Sequence, residues 1–560
     1  LPRIALVGPE LEENLSLRYL ASALAASGFE CDIVPFDAGT DVPGAVARIT
    51  NGLHHPALVG LSLAFQPRAK DFLALAVALR RRGFRGHLTA GGHFATFACR
   101  EILRDFPEFD TILCYEAEET LPALASAALD GRNPTSIPGL AFRDPSGAVR
   151  VNALPGAPPL ATLAWPDRRG TPAQHLGHRV AAMVASRGCY ARCAFCCIAA
   201  WHGQADGARF RLRPVDDVAD EMAWLSREKA VQIFVFHDDN FFLPRRHDSV
   251  ARIHALGAAL DRRAVGPIAI VVKARPNDLD REIVHAMQNR LGLVRLFLGV
   301  ESDAARGLRT LGRGVASSEI HRALDLLEEL GVYACFNMLI FDPSTRLEDL
   351  EVNLRFMERY AEVPHNFGRV ELYAGTPLLA RLQAERRCSG DYLGWDYRLA
   401  DAGIQRVFEI AMACFYTRNF SDASAPHRLM GTRFLVEVAR RFHRDVFDGR
   451  WPGAVKELTR RLTMDSVRAL REIVTEVRKG ARSRTDEEMV SDLSARLRAV
   501  EVDIHEAAAN LEAAIEDTVS GAASYPAVDG LPASRATFGT LIAGTGGDHV
   551  PNHTSGLAGA

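Results

Sequence analysis

The chain has 560 residues, of which 48% are hydrophobic and 24% charged, with a formal net charge of −3. This composition excludes global disorder, and ten cysteines are too few for a disulfide scaffold. Near-balanced charge offers no case for nucleic acid or an anionic membrane as an obligate partner, and no apolar run approaches the ~20 residues of a membrane span.

The opening LPRIALVGPE lacks the order of a signal peptide, so a reducing, cytoplasmic setting is expected. Short apolar runs then alternate with helical stretches to about residue 130. Strands are expected at Arg3 to Val7, Cys31 to Pro35, Ala57 to Leu63, His87 to Ala90 and Thr111 to Cys114. Helices are expected at Leu15 to Ser27, Lys70 to Arg82 and Glu119 to Leu129. Such alternation specifies an α/β protein that starts with a doubly wound, Rossmann-like parallel sheet. Ligands of these sheets sit on loops at the carboxyl ends of the strands. Here those loops are Gly8-Pro9-Glu10, Ser62 to Arg68, Gly91-Gly92-His93 and Glu116 to Thr120. A stretch rich in Pro, Gly and Ala, 131 to 178, reads as a linker with a short hairpin.

A second alternating block runs from 179 to 385. Its expected strands are Val180 to Ala185, Gln232 to Phe236, Ile268 to Lys273, Val294 to Val300, Tyr333 to Ile340 and Gly368 to Leu372. Helical patterns lie between them at Val215 to Glu228, Asp248 to Arg262 and Ser317 to Leu330. Six βα units suggest a partial barrel, reactive at the carboxyl ends of its strands. Residues 386 to 520 form a helical domain, and 521 to 560 read as a flexible tail.

Four of the ten cysteines fall between 189 and 197. Cys189, Cys193 and Cys196 are spaced C-x3-C-x2-C at the end of the first barrel strand, with Phe195 just before the third. Three thiolates on one short loop can each ligate one iron of a [4Fe–4S] cube and leave the fourth iron open. The alternative is zinc, with His202 as a fourth ligand, although no second C-x2-C pair exists. Cys197 is expected to pack rather than ligate.

This motif on a first strand resembles the radical S-adenosylmethionine (SAM) superfamily over 179 to 385. Phe236-His237-Asp238-Asp239-Asn240-Phe241 is similar to the F-x-D-D-x-F segment beside the cluster, and Gly299-Val300-Glu301-Ser302 to the G-[IV]-E-S segment that contacts SAM. The resemblance implies SAM contacts at Tyr190, Phe195, Asp238, Asp239, Lys273, Arg275, Glu301 and Ser302. The first block resembles the cobalamin-binding domain of one branch of that superfamily. Gly91 to Thr96 is similar to its G-G-x-H-[AP]-T loop, and Cys114 to Thr120 to its G-E-x-E-x-T segment. Cobalamin contacts are accordingly implied at Gly8, Pro9, Glu10, Ser62, Phe65, Gln66, Arg68, Gly91, Gly92, His93, Glu116, Glu118 and Thr120. No D-x-H-x-x-G offers a histidine to cobalt, so a base-off corrinoid with water or nothing below is implied, with Arg68 beneath it. Asp342, Tyr373 and Thr376, in segments facing the barrel mouth, are candidate substrate contacts.

The resemblance implies a class B radical SAM methyltransferase that uses a [4Fe–4S] cluster, SAM and methylcobalamin to methylate an unactivated carbon. The substrate would be a small molecule or peptide from specialised metabolism, such as antibiotic biosynthesis, and a flavodoxin or ferredoxin would donate electrons. Three other readings stand beside it: polar transfer to an aromatic carbon such as tryptophan C2, a cobalamin-dependent radical cyclase or rearrangement enzyme, and a non-catalytic corrinoid-binding module.

Overall fold

A computed structural model describes residues 3–53, 56–421, 423–480 and 485–522. In the first sheet β1 (Arg3–Gly8), β2 (Glu30–Pro35), β3 (Leu58–Ser62), β4 (His87–Gly91) and β5 (Thr111–Leu113) run parallel in the order β2-β1-β3-β4-β5. Alternate residues bury on opposite faces: Ala5, Val7, Val59 and Leu61 on one, Ile4, Leu6 and Leu58 on the other. Burial on both faces is why these strands read as unbroken apolar runs.

The hairpin expected in the linker is β6 (Leu140–Arg143) and β7 (Val149–Val151), and it continues the first sheet antiparallel to β5. The rest of that stretch is more than a tether. Arg168, only 5% exposed at its side chain, pairs with Glu13 beyond β1 and with Glu221 on the barrel helix Val215–Lys229. One guanidinium therefore joins both domains.

The second sheet comprises β8 (Gln174–His175), β9 (His178–Met183), β12 (Val231–Phe236), β13 (Ala269–Ala274), β14 (Leu293–Glu301), β15 (Ala334–Phe341) and β16 (His365–Arg369). Between β9 and β12 lies a small antiparallel pair, β10 (Ser186–Arg187) with β11 (Arg211–Leu212). From β9 to β16 the strands are parallel and sequential in space, the order of a partial barrel. Met183, Phe234, Val272, Leu298 and Met338 pack outward into the main core, shared with helices such as Val215–Lys229 and Leu347–Arg359. Val180, Val235, Val271 and Tyr333 pack inward against Met430, Phe434 and Val438 of helix Ala425–Phe442.

Two barrel strands end elsewhere than expected. β9 stops at Met183, because the Ala185 amide is taken by Asp238 rather than by a neighbouring strand. β16 spans His365–Arg369 instead of Gly368 to Leu372, since Val370 and Leu372 leave the ladder for an apolar cluster with Leu311, Leu378 and Tyr397.

The hairpin β17 (Cys388–Asp391) and β18 (Gly394–Tyr397) precedes four helices, Ala402–Phe420, Ala425–Phe442, Trp451–Lys479 and Asp486–Ala522. Buried Arg418 ties three of them together through Asp465 and Glu501. Of the expected tail, 521 and 522 complete the last helix, and 523 to 560 lie outside the described residues. No helix among the described residues is long and apolar enough to cross a membrane.

Candidate functional site

The cysteine loop leaves β10 through Gly188, whose φ of +84° and crowding by the Arg209 carbonyl admit no side chain. Its middle is laced to the barrel: Ala194 donates to the Leu311 carbonyl, and Leu378 donates to that of Ala194, each at 2.8 Å. Asp238 accepts from the Ala185 N–H at 2.9 Å and the Ser186 hydroxyl at 2.5 Å, while Asp239 accepts from the Gly188 N–H at 3.2 Å. Burial pushes Asp238 up to about 6 and raises Asp239 as well. Both acids thus shape the approach to the cysteines.

Burial pushes the Cys189 thiol up to about 11 and Cys197 to about 12, and raises Cys196 as well. At Cys193, Arg275 Nη1 and Arg313 Nη1 donate to the sulfur at 3.3 and 3.1 Å. Two guanidinium donors suit a sulfur that carries negative charge as a metal ligand. Among the described residues no three His, Cys, Asp or Glu side chains converge on one ion position. A cube, which takes each thiolate on a different iron, fits this donor set. His202, the zinc alternative's fourth ligand, instead packs edge-on to Tyr115 and Trp201.

Of the residues expected at SAM, Glu301 stands closest to that role. It ends β14 with φ +65°, half-buried in the fields of Arg313 and Arg275, and loss of solvent there raises its carboxyl. Helix capping does not occupy it, because Asn353 Oδ1 accepts from the Asp303 and Ala304 amides. Ser302 is spent there too, accepting from Ala304 and donating to Asn353. Tyr190 donates to Asp278, Phe195 packs on the apolar cluster around Leu311 and Leu378, and Lys273 lies in the fields of Asp239 and Glu12. Arg275 also donates to the Arg313 carbonyl, leaving its Nε unpartnered.

The first sheet's loops meet the barrel mouth. Gln66 donates to the Leu372 carbonyl at 3.2 Å and accepts from the Ala374 N–H at 3.0 Å. Glu116 pairs with Arg187 at 2.9 Å and with Arg211, and Glu118 pairs with Arg187 at 2.5 Å. Arg187 is the second residue before Cys189. Just beyond the cysteines, Trp201 lies 4.5 Å, ring centroid to centroid, from both His93 and Tyr115. Burial pushes His93 down to about 4.

Gly92, with φ +104°, lets its loop press on Ala64, where a Cβ would come within 2.9 Å of backbone. Gly8 likewise sits tight against Leu17 and Ser62, the Pro9 carbonyl accepts from Asn14, and Glu10 pairs with Arg18 at 2.7 Å. Arg68 is anchored within its own domain by Asp71, the Phe36 carbonyl and the rings of Phe36 and Phe72, and its Nη2 has no hydrogen-bond partner among the described residues. Phe65, 44% exposed, and the buried, unpartnered Thr120 hydroxyl fit a large ligand with apolar and polar edges. Among the substrate candidates, Asp342 and Thr376 close their own turns, through Thr345 and through the Tyr373 carbonyl, whereas Tyr373 lies in the fields of Cys196 and Cys197.

Arg187, Trp201, Arg211 and Arg313 were not expected at this site. Arg187 carried a signal in its place beside Gly188-Cys189. The partners of the other three come from distant sequence.

Residues 4–125 match the B12 binding domain, and residues 183–357 match the radical SAM superfamily. An uncharacterized methyltransferase, PH0819, of Pyrococcus horikoshii is 25% identical over 332 residues, 58% of this chain and 68% of its own. The anaerobic magnesium-protoporphyrin IX monomethyl ester cyclase of Cereibacter sphaeroides is 27% identical over 305 residues, 52% of this chain; the match spans about half of that enzyme, 48%. The structure of the cobalamin-dependent SAM radical enzyme OxsB, with aqua-cobalamin and SAM bound, superposes with a TM-score of 0.64 at 18% identity, covering 93% of this chain and 80% of that one.

Proposed function

We propose that this chain, which belongs by its two domains to the cobalamin-dependent radical SAM enzymes, is a C-methyltransferase acting on an unactivated carbon of a small-molecule or peptide precursor. The observation that carries this reading is the facing of the two mouths. Gln66, Glu116 and Glu118 of the first domain bond directly to the barrel rim and to Arg187 beside the cysteines. Two cofactor sites so joined would lie side by side.

When bound, the cluster and SAM supply one-electron chemistry, and the corrinoid supplies a transferable methyl group. Cys189, Cys193 and Cys196 would hold the cluster, with Arg275 and Arg313 steadying Cys193. Glu301 would receive the amino group of SAM as a charge-assisted hydrogen bond. Phe65 and Thr120 would meet the corrinoid, and the closed rim keeps water from the reacting atoms. Electrons would come from a flavodoxin or ferredoxin.

Anaerobic product analysis with reductant and candidate substrates tests the reading. S-adenosylhomocysteine together with 5′-deoxyadenosine is expected. S-adenosylhomocysteine alone would mean polar transfer, and deoxyadenosine alone would mean cyclisation or rearrangement, the activity class named for the Cereibacter relative.

A further inference from the structure

The inner wall of the barrel carries a buried cation that its neighbours leave incompletely bonded. On β14, Arg295 stands opposite Val271, and Phe297 stands opposite Lys273. Residues two apart on a strand share a face. Val271 faces the barrel interior, so Lys273 and Arg295 face it as well, in successive layers. Lys273 is partly exposed, whereas Arg295 is 0% exposed. The Arg295 Nε donates to Cys335 Sγ at 3.3 Å, and its guanidinium carbon lies 5.4 Å from the Tyr333 ring centroid. Among the described residues neither Nη1 nor Nη2 has a hydrogen-bond partner. A guanidinium withdrawn from water without acceptors is costly to keep.

The carboxylate that acts on Arg295 across the interior is Glu12, carried in by the loop after β1 of the first domain. Glu12 acts more strongly on Lys273, its Oε1 is unpartnered, and among the described residues it makes no ion pair with Arg295. Lys273 is further balanced by Asp239. Two acids thus stand beside the upper cation, and the lower one has no acceptor in contact with its two terminal amino groups among the described residues.

We infer that Arg295 receives an anionic group, a carboxylate or a phosphate, of the substrate that enters the barrel. The inference rests on the reading of this barrel as the catalytic chamber and adds the charge of what it admits. An arginine whose Nη1 and Nη2 are both unspent matches the two oxygens of such a group in a parallel pair of charge-assisted bonds. Lys273 and Glu12, both partly exposed, line the approach, and the Glu12 side chain yields as the anion seats. Its loop is open to solvent at Leu11, 63% exposed.

The test uses the full, cofactor-loaded chain with acetate and inorganic phosphate as minimal probes, read by melting temperature. Wild type is expected to gain stability with rising concentration of at least one probe; acetate alone would point to carboxylate substrates and phosphate alone to phosphorylated ones. Arg295→Met is expected to melt no lower than wild type without probe, because it removes an unpaired buried charge, and to bind the probe roughly tenfold or more weakly. If the methionine variant does not fold, Arg295→Lys is measured instead, and a weakened response is expected. The inference is overturned if neither anion shifts wild type, or if the variant responds as wild type does. Iron, sulfide and corrinoid are assayed in the same samples. Normal contents without an anion response overturn this inference only, whereas absent cofactors overturn the reading beneath it.

Discussion

At the barrel mouth, Asp238 and Asp239 turn their oxygens toward the Ala185 and Gly188 amides and the Ser186 hydroxyl, all just before the first cluster cysteine, Cys189. At the mouth of the first sheet, Glu116 and Glu118 reach across the domain boundary to Arg187 and Arg211. Both pairs of acids stand in motifs that resemble cofactor loops, at equivalent ends of parallel strands. One pair shapes a loop from within, and the other docks one domain on the other. An acid beside a cofactor motif can thus act through the backbone or the partner domain without touching the cofactor itself.

The difference can be broken most severely at the ligands. Replacing Cys189, Cys193 and Cys196 together by Ala is expected to abolish the uptake of about four iron and four sulfide per chain on anaerobic reconstitution. Cys197→Ala is expected to leave it intact. Iron and sulfide analysis reads both, and zinc retained without iron uptake would contradict the cluster.

Arg187→Gln breaks the docking side. It leaves Glu116 and Glu118, whose side chains are 3% and 9% exposed, without their shared cation. Losing one partner of a buried pair costs about 3–5 kcal/mol. The expected result is a lower melting temperature and weaker corrinoid retention, with iron content preserved. Iron lost in step with corrinoid would show that the two mouths are not separable.

Glu301→Gln sharpens the comparison, because this acid is proposed to touch a cofactor. SAM affinity should fall by about 1.5–3 kcal/mol, roughly ten- to a hundredfold, at an unchanged melting temperature. Unchanged affinity with reduced stability would return Glu301 to a structural role.

A pH-dependent effect concerns Glu12, which burial pushes up to about 8 from an ordinary value of 4.5. The folded chain then holds a proton that the unfolded chain releases, so stability falls as pH rises between those values and levels off above them. Glu12→Gln escapes this loss. Its melting temperature should gain on wild type across that window, and a gap that does not change with pH would refute the assignment.

Much of the fold was legible because strands buried on both faces write themselves as apolar runs, and most ends fell within a residue or two. β16 escaped because the apolar run Val370 to Leu372 serves a cluster outside the ladder, and apolarity alone does not tell which. The cysteine loop was legible because its spacing is local. Arg313 was not, since it reaches Cys193 across 120 residues. Arg295 did leave a trace, a lone charge within Leu-Val-Arg-Leu-Phe-Leu, but the run around it was read only as strand. Arg68 stands on the expected loop, and what spacing could not tell is that the rings of Phe36 and Phe72 in its own domain steady it there.

The central claim is that the two facing mouths serve methyl transfer, and this can be tested without knowing the substrate. Reconstituted protein carrying cluster and corrinoid is reduced anaerobically, given SAM alone and assayed for S-adenosylhomocysteine against bound corrinoid. The account predicts about one S-adenosylhomocysteine per corrinoid in a single turnover, with the yield falling in Arg187→Gln as docking loosens. Deoxyadenosine with no S-adenosylhomocysteine, from protein shown to hold both cofactors, would contradict it.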